Sequence, residues 1–333
     1  MKKILIFEPN SNQALAISKY IKKYSDFYII GCLEKEVRFN RENYDEIIVI
    51  NFLNVNVAEY LYVLPMGAKS SYSITNKYKE LNYCNYMKFD TSNLIVFDKP
   101  KMLSITNALG VPIPKTFYKI EEIDIFPIFY KEDFENGGGV RGVANVLDDI
   151  PTKRSLLFQE YIATPSTYGV GFLAKDGIIL THTIHKEVIS YPVSGGSAVV
   201  IESYDDKRLV KYTSKIVQRL NYNGWGLAEY KYCDKRNDFV FMEINAKFWA
   251  SIEFMLINNP QFLKILLDIS YKSQIENRIL FVNRLLQYGF VDILKNMRYI
   301  FDTKLVKESS LFYQIIRKFI PNRVVNWVKK TMK

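Results

Sequence analysis

The stretch Gly226-Leu-Ala-Glu-Tyr-Lys-Tyr-Cys-Asp-Lys-Arg-Asn-Asp-Phe-Val-Phe-Met-Glu-Ile-Asn245 reads as a β-hairpin. Residues 226–233 alternate like a strand, Asp234 to Asp238 form a turn cluster, and the strand resumes to Asn245. Glu243 and Asn245 are two apart and so point to one face. A turn centred on Arg236 sets Glu229 opposite Glu243, and directly opposed side chains share a face. Acids facing each other across a hairpin are most often a solvated face. Here Leu227, Phe239, Phe241 and Ile244 mark buried strands and Phe248-Trp249 follows at once, so charge at this rim is costly unless paired or metal-bound. Two carboxylates and an amide oxygen, Glu229, Glu243 and Asn245, are donors that Mg²⁺ accepts, with Mn²⁺ as its substitute.

The 333 residues allow about two domains, and 48% hydrophobic content is ample for cores. The apolar run after Met1 stops at Glu8, too early for a secretory signal, and no run reaches the roughly 18 residues of a membrane span. Cys32, Cys84 and Cys233 have neither an even count nor Cys-x-x-Cys spacing, which indicates free thiols rather than disulfides or zinc. A cytoplasmic protein is expected. From Thr303 onward eight cations face Glu308 alone, a net of +7 out of the chain's +10. Interleaved with Leu311, Phe312, Ile315, Ile316, Phe319 and Trp327, they suit a helix packed on its own domain or one lying on the inner face of an anionic membrane. No nucleic-acid motif accompanies the charge, so no nucleic-acid partner is expected.

The first hundred residues alternate strand and helix. Lys3–Phe7, Phe27–Ile30 and Glu46–Ile50 are apolar runs, and Ala14, Ile17, Ser18 and Ile21 keep helical spacing, which implies a parallel, doubly wound sheet. Glu8-Pro-Asn-Ser-Asn stands where a dinucleotide fingerprint would have glycines, so this domain is expected to be an acceptor-binding platform. It closes with Leu94–Asp98, followed by a helix with Asp98 as N-cap, Pro100 in its first turn and Gly110 as its stop. Beyond Pro114 the texture turns β-rich, with strands near 116–118, 127–131, 156–161, 170–175 and 178–185. A helix over about 205–220 leads into the hairpin, and Asp176-Gly177 marks a tight turn.

Several constellations carry chemistry. Pro127-Ile-Phe-Tyr-Lys131 precedes the loop Asn136-Gly-Gly-Gly-Val-Arg-Gly142, where Gly137, Gly138 and Gly139 let backbone amides close over an anion. A mobile surface loop has the same composition. Lys99 and Arg141 add positive charge. Gln159-Glu-Tyr-Ile162 is a strand running into Ala-Thr-Pro, suited to reading a base through its main chain or to ending at a plain turn. Thr183-Ile-His-Lys-Glu187 offers His185 and Lys186 beside a second glycine loop around Gly195-Gly-Ser197, although a lone strand histidine is usually structural.

Asp98-Lys99 with Gly110-Val-Pro-Ile-Pro114, Lys131 before its glycine loop, Gln159–Ile162, Gly195-Gly-Ser197, Glu229, and Met242-Glu-Ile-Asn-Ala-Lys-Phe-Trp-Ala-Ser251 occur in an order that resembles the ATP-grasp superfamily. The closer resemblance is to its carboxylate–amine ligase branch, with the ATP-binding fold of carbamoyl-phosphate synthase and D-alanine ligase. It covers about residues 1–270. It implies an α/β and α+β chain: a doubly wound parallel pre-ATP-grasp domain (1–97), an ATP-grasp domain (98–270) with a lid subdomain (about 115–163) and a central antiparallel-sheet subdomain, then a helical basic C-terminal extension (271–333). It assigns Lys99, Lys131 and Gly137–Gly139 to ATP phosphates, Gln159, Glu160, Tyr161 and Ile162 to the adenine hinge, and Glu229, Glu243 and Asn245 to Mg²⁺. Arg141, Lys186 and Lys247 are the catalytic candidates.

The implied reaction joins a small-molecule carboxylate to an amine through an acyl phosphate, on a small metabolite or a bacterial glycan or peptide precursor. The alternative is a catalytically weakened nucleotide-binding sensor or scaffold, membrane-associated through its tail. Departures from the family pattern are the missing acidic ribose contact in Ala163–Tyr168, Lys247 where relatives carry Arg, and a short segment from Gly142 to Ser155.

Overall fold

A computed structural model of the chain describes residues 2–78, 80–84, 87–134, 139–151, 155–191, 196–286, 299 and 303–308. Gly137, Gly138 and Gly195 lie outside the described residues, as does the basic segment from residue 309. Among the described residues no helix is long and apolar enough to cross a membrane.

The N-terminal part is the expected parallel sheet. β1 (Lys3–Phe7), β2 (Tyr28–Leu33), β3 (Glu46–Val49) and β4 (Tyr62–Leu64) stand in the order β3-β2-β1-β4, all parallel. α1 (Asn12–Tyr24) is capped by Ser11, whose hydroxyl accepts from Ala14 N, and it buries Ala14, Ala16, Ile17, Ser18 and Ile21. α2 (Ala68–Tyr78) and the hairpin β5–β6 (Glu80–Cys84, Met87–Asp90) follow. Leu94–Phe97 lie in a 3₁₀ segment, where Asn93 and the backbone of Asn223 bond reciprocally, tying this end to the central domain. α3 (Lys99–Ala108) starts as its caps require: the Asp98 carboxylate accepts from Lys101 N at 3.0 Å. Gly110 ends it with φ +67°, a conformation that a residue with Cβ adopts only under strain.

Two antiparallel sheets form the rest. The smaller has the order β7-β10-β8-β9, from β7 (Thr116–Phe117), β8 (Ile128–Glu132), β9 (Arg141–Ala144) and β10 (Leu156–Glu160). Arg141 and Gly142 therefore belong to a strand rather than to the glycine loop. The larger sheet, counted over the described residues, has seven strands in the order β15-β14-β11-β12-β13-β16-β17. Its members are β11 (Thr167–Lys175), β12 (Ile178–Tyr191), β13 (Ser197–Ser203), β14 (Gly224–Cys233), β15 (Asp238–Asn245), β16 (Arg278–Phe281) and β17 (Lys304–Val306). Asp176 and Gly177 both take positive φ, 51° and 75°, as a two-residue β11–β12 turn demands.

One face of this sheet is covered by α4 (Lys207–Arg219), through Leu209, Thr213, Ile216 and Val217. Tyr168, Tyr230, Phe239 and Phe241 belong to the core cluster on that side. The opposite face meets α6 (Gln261–Leu267) and, through Phe254 and Ile257 against Ala198, Ile201 and Ile279, α5 (Ile252–Asn258), and the short α7 (Val282–Leu285) packs on β13 and β16.

Gly171 is where the second face closes. A Cβ there would lie 2.5 Å from Cζ2 of Trp249, whose ring is 4% exposed. We expect Gly171→Ala to cost about 2 kcal/mol by overpacking, read as a lower denaturation midpoint. An unchanged midpoint would show that the indole is free to move.

Candidate active site

The register of the β14–β15 hairpin decides the site. From the turn upward Cys233 pairs with Asp238 and Tyr230 with Phe241; the register then shifts, and Glu229 pairs with Glu243 and Leu227 with Asn245. Strict alternation would put Phe239, Phe241, Glu243 and Asn245 on one face. A β-bulge at Met242 supplies one extra residue, so the two phenylalanines stay in the α4-side core while Glu243 and Asn245 turn to the face of Glu229. The opposition of the two acids thus holds, by a device that the alternation does not reveal.

The bulge also docks the small sheet. Lys131 of β8, 6% exposed, reaches across so that its Nζ donates to Met242 O at 3.2 Å and to Glu243 Oε2 at 3.1 Å. Lys99, also buried, opens α3, and its backbone N–H donates to Asp133 O beyond the end of β8. Arg141 pairs in register with Lys131 and shares its face. The chain beyond Asn245 folds back over the large sheet: Phe248 stacks on Trp225 at 4.2 Å between ring centroids, and Trp249 covers Gly171. Lys247 is carried on this anchored loop close enough for its charge to act on both glutamates.

Electrostatics split the carboxylate pair. Burial works against both charges, but the Lys131 ammonium, with Lys99 and Lys247, overcomes it at Glu243 and holds that carboxyl far below its usual range. Burial and then the charges of Glu243 and Glu187 push Glu229 well above it. Two facing acids that divide their ionisation in this way suit a bound cation, which would let both ionise. Among the described residues no three His, Cys, Asp or Glu side chains cluster as a metal cage. Two carboxylates and an amide fit a cation that keeps waters and phosphate oxygens as its other ligands.

Other predicted residues are placed differently. Lys186 pairs in register with Tyr168 and Glu202, in the row that runs through Tyr230, so it lies on the opposite face from Glu229. There its Nζ ion-pairs with Glu202 at 3.7 Å. The structure does not bring it to the other candidates. Glu160 is tied to Arg236 and accepts from Lys115 N at 3.0 Å. Gln159 is fully buried, with its amide N 3.5 Å from Thr116 Oγ1 and its Oε1 without a partner among the described residues. Tyr161 is exposed, its N–H 3.4 Å from Pro127 O, and Ile162 packs with Cys233, Val240 and Met242 beside the bulge. Gly139 lies against Glu132, where a Cβ would come within 2.6 Å of the carboxylate.

Two residues of the site face were not singled out. Lys231 follows Glu229 by two and donates to Thr164 O at 3.2 Å; the i, i+2 spacing alone would have found it. Glu187 lies in the next row of the same face, opposite Thr167. Burial pushes its carboxyl up to about 7 against the Ser190 hydroxyl and the charges of Arg284 and Lys231. His185, over Gly169 in the Glu229 row, is pushed down to about 4 by burial and faces Phe254.

No protein-family model and no curated protein matches the sequence. Solved structures do match the architecture. N5-carboxyaminoimidazole synthetase from Staphylococcus aureus, complexed with ADP, superposes with a TM-score of 0.62 at 13% identity, covering 82% of this chain and 79% of that one. The biotin carboxylase complex with β-γ-ATP from Campylobacter jejuni gives 0.61 at 18%, over 83% and 74%. The chain has the ATP-grasp fold. L-amino acid ligase from Bacillus licheniformis shares this ATP-grasp architecture, with a TM-score of 0.59 at 12% identity over 80% and 73% of the two chains. At these identities the likeness speaks for the ATP-grasp fold alone.

Proposed function

We propose that the protein is an ATP- and Mg²⁺-dependent ligase that joins a small-molecule carboxylate to an amine. The observation that carries this reading is the Glu229–Glu243 pair, with Lys131 from the small sheet bonded to Glu243. Oxygen donors of opposite protonation tendency, ringed by Lys99, Lys131 and Lys247, form a place for a nucleotide phosphate and its cation. Glu229, Glu243 and Asn245 would hold Mg²⁺, which when bound neutralises charge developing on the transferred phosphoryl group.

The chain's own part is positioning. Lys99 and Lys131, with the glycine loop of residues 137–139, hold the phosphates, and Gln159 to Ile162 border the adenine. Arg141, on the face of Lys131, and Lys247, on its pinned loop, set positive charge where the carboxylate accepts the phosphoryl group. With ADP left behind, the amine attacks the acyl carbon of the acyl phosphate so formed: the C–N bond forms, the C–O bond to phosphate breaks, and inorganic phosphate and the amine's proton depart. Lys186 carries no role in this scheme.

Purified protein given Mg·ATP and pooled amino acids and carboxylates should release phosphate and form an amide detectable by mass spectrometry. Nucleotide binding without phosphate release from any pool would instead mark a sensor or scaffold. Lys131→Met should raise the Kd for ATP about tenfold or more, since a charge-assisted bond to phosphate is lost. Titration calorimetry checks this, and unchanged affinity would remove Lys131 from the phosphate site.

A further inference from the structure

Among the residues that border the adenine in this scheme, Gln159 carries an atom with no partner. The side chain is fully buried, and its Oε1 meets no donor among the described residues. A buried acceptor left unpaired costs the full desolvation of that atom, so it calls for a donor from outside the chain. Gln159 stands two residues from Leu157, which pairs in register with Lys131, so it lies on the Lys131 face of the small sheet. That face is turned to the large sheet: Leu157 belongs to the main core and Lys131 reaches Glu243, whereas Phe158 belongs to the small sheet's own core on the other side. The row of Phe129, Gln159 and Thr116 is one step along the strands from Lys131, about 7 Å, and the hinge of residues 160–162 continues from it. A nucleotide whose phosphates meet Lys131 and whose base meets the hinge therefore passes Gln159.

Thr116 fixes which way the amide faces. Its hydroxyl donates its one proton to Pro114 O at 2.8 Å, so Oγ1 offers Gln159 only lone pairs. The amide nitrogen of Gln159, 3.5 Å away, is the group that can meet them, which turns the oxygen to the other side. Thr116 is held in its turn: Arg236 donates to Ile113 O at 2.9 Å, and the Glu160 carboxylate accepts from Lys115 N at 3.0 Å. Resting on the reading of this cleft as a nucleotide site, we propose that Thr116 and Gln159 form a base selector: Gln159 Oε1 accepts from the exocyclic amine of a 6-aminopurine, and Thr116 keeps the amide from turning to serve a 6-oxopurine. At position 6 adenine presents a donor and a 6-oxopurine an acceptor, so a fixed amide oxygen bonds the first and repels the second. An amide free to turn would offer its nitrogen to the second and lose the distinction.

Titration calorimetry of the full chain with Mg·ATP and with Mg·ITP, whose base is 6-oxo, reads the selector without any turnover. The parent should bind ITP about tenfold to a hundredfold more weakly than ATP, the range of one buried hydrogen bond left unmade. Thr116→Val, which keeps the shape but offers no lone pair, should bring the two affinities within about threefold of each other with the melting curve unchanged. Thr116→Val/Gln159→Glu should restore the preference, because a carboxylate accepts through either oxygen, and a merely structural Thr116 would not be rescued in this way. Gln159→Leu should lose the preference by weakening ATP rather than by strengthening ITP. The proposal is overturned if the parent binds both nucleotides equally, or if Thr116→Val or Gln159→Leu retains the full preference. Binding of neither nucleotide by the parent would remove the nucleotide site and the selector with it, whereas equal binding removes the selector alone.

Discussion

Glu243→Gln should lower ATP-dependent phosphate release by roughly two to three orders of magnitude, the range seen when one preorganised electrostatic group is removed from a site. Gln keeps the shape and one acceptor for Lys131 Nζ, which now donates to Glu243 Oε2 at 3.1 Å and to Met242 O at 3.2 Å. The backbone of the bulge therefore has no reason to move. What changes is charge. Glu243 is the member of the pair that Lys131 keeps ionised, so the variant removes the carboxylate that is already charged before a cation binds. It also removes the repulsion that helps raise Glu229. Steady-state phosphate release with the productive substrate pool, alongside circular dichroism for the fold, makes the comparison. A variant within threefold of the parent would sink the assignment of this pair to Mg²⁺. Weak binding of Mg·ATP with unchanged turnover at saturation would move Glu243 from the reacting phosphate to ground-state binding.

The second large effect concerns stability. Arg284 is 3% exposed, and its Nε lies 3.0 Å from both carboxylate oxygens of Glu308, whose side chain is 7% exposed. The same guanidinium donates to Ala198 O at 2.6 Å and Ala250 O at 2.7 Å, and it lies over the Phe281 ring at 3.8 Å. Arg284→Met should cost about 3–5 kcal/mol, because it strands a buried carboxylate and two carbonyls rather than because the pair itself is worth that much. The companion test is the double variant Arg284→Met/Glu308→Leu, which leaves no stranded charge and should recover most of the loss. Equilibrium urea denaturation with amide exchange on β16 and β17 reads both. A single variant that loses less than about 1 kcal/mol would show that water already reaches Glu308.

Much of this architecture was legible in residue order. The parallel sheet followed from apolar runs at Lys3–Phe7 and Phe27–Ile30, because strands buried on both faces cannot alternate, and from Glu46–Ile50, whose run forms the half-exposed edge strand β3. Asp98, Pro100 and Gly110 bracket a helix through local chemistry that needs no tertiary contact: a carboxylate accepting from an N–H, a preset φ, and a residue free to take φ +67°. The turn at Asp176-Gly177 is local in the same sense. By contrast β13, β16 and β17 were not anticipated. Ser197–Ser203 is followed by charge and broken by no turn signal, and β17 is three residues that become a strand only by pairing parallel to Ile279–Phe281.

For the candidate site the division is sharper. Residue order determined which groups are available: opposable acids at 229 and 243, an amide at 245, and lysines at 99, 131 and 247 on the flanks. It determined the hairpin as well, since strand texture and turn residues are properties of short segments. Tertiary structure alone decided which way those groups face. Period-two alternation assigns Phe239, Phe241, Glu243 and Asn245 to one face, and both the core and the site require that assignment to break. The break occurs at Met242 because Phe239 and Phe241 must stay against Tyr168, Tyr232 and Tyr230 while Glu243 meets Glu229 and Lys131. The same register argument carries Lys186 to the far face with Glu202 and brings Lys231 and Glu187 to the near one. Register is a property of paired strands, set by the fit of both faces at once, and a single strand read alone cannot contain it.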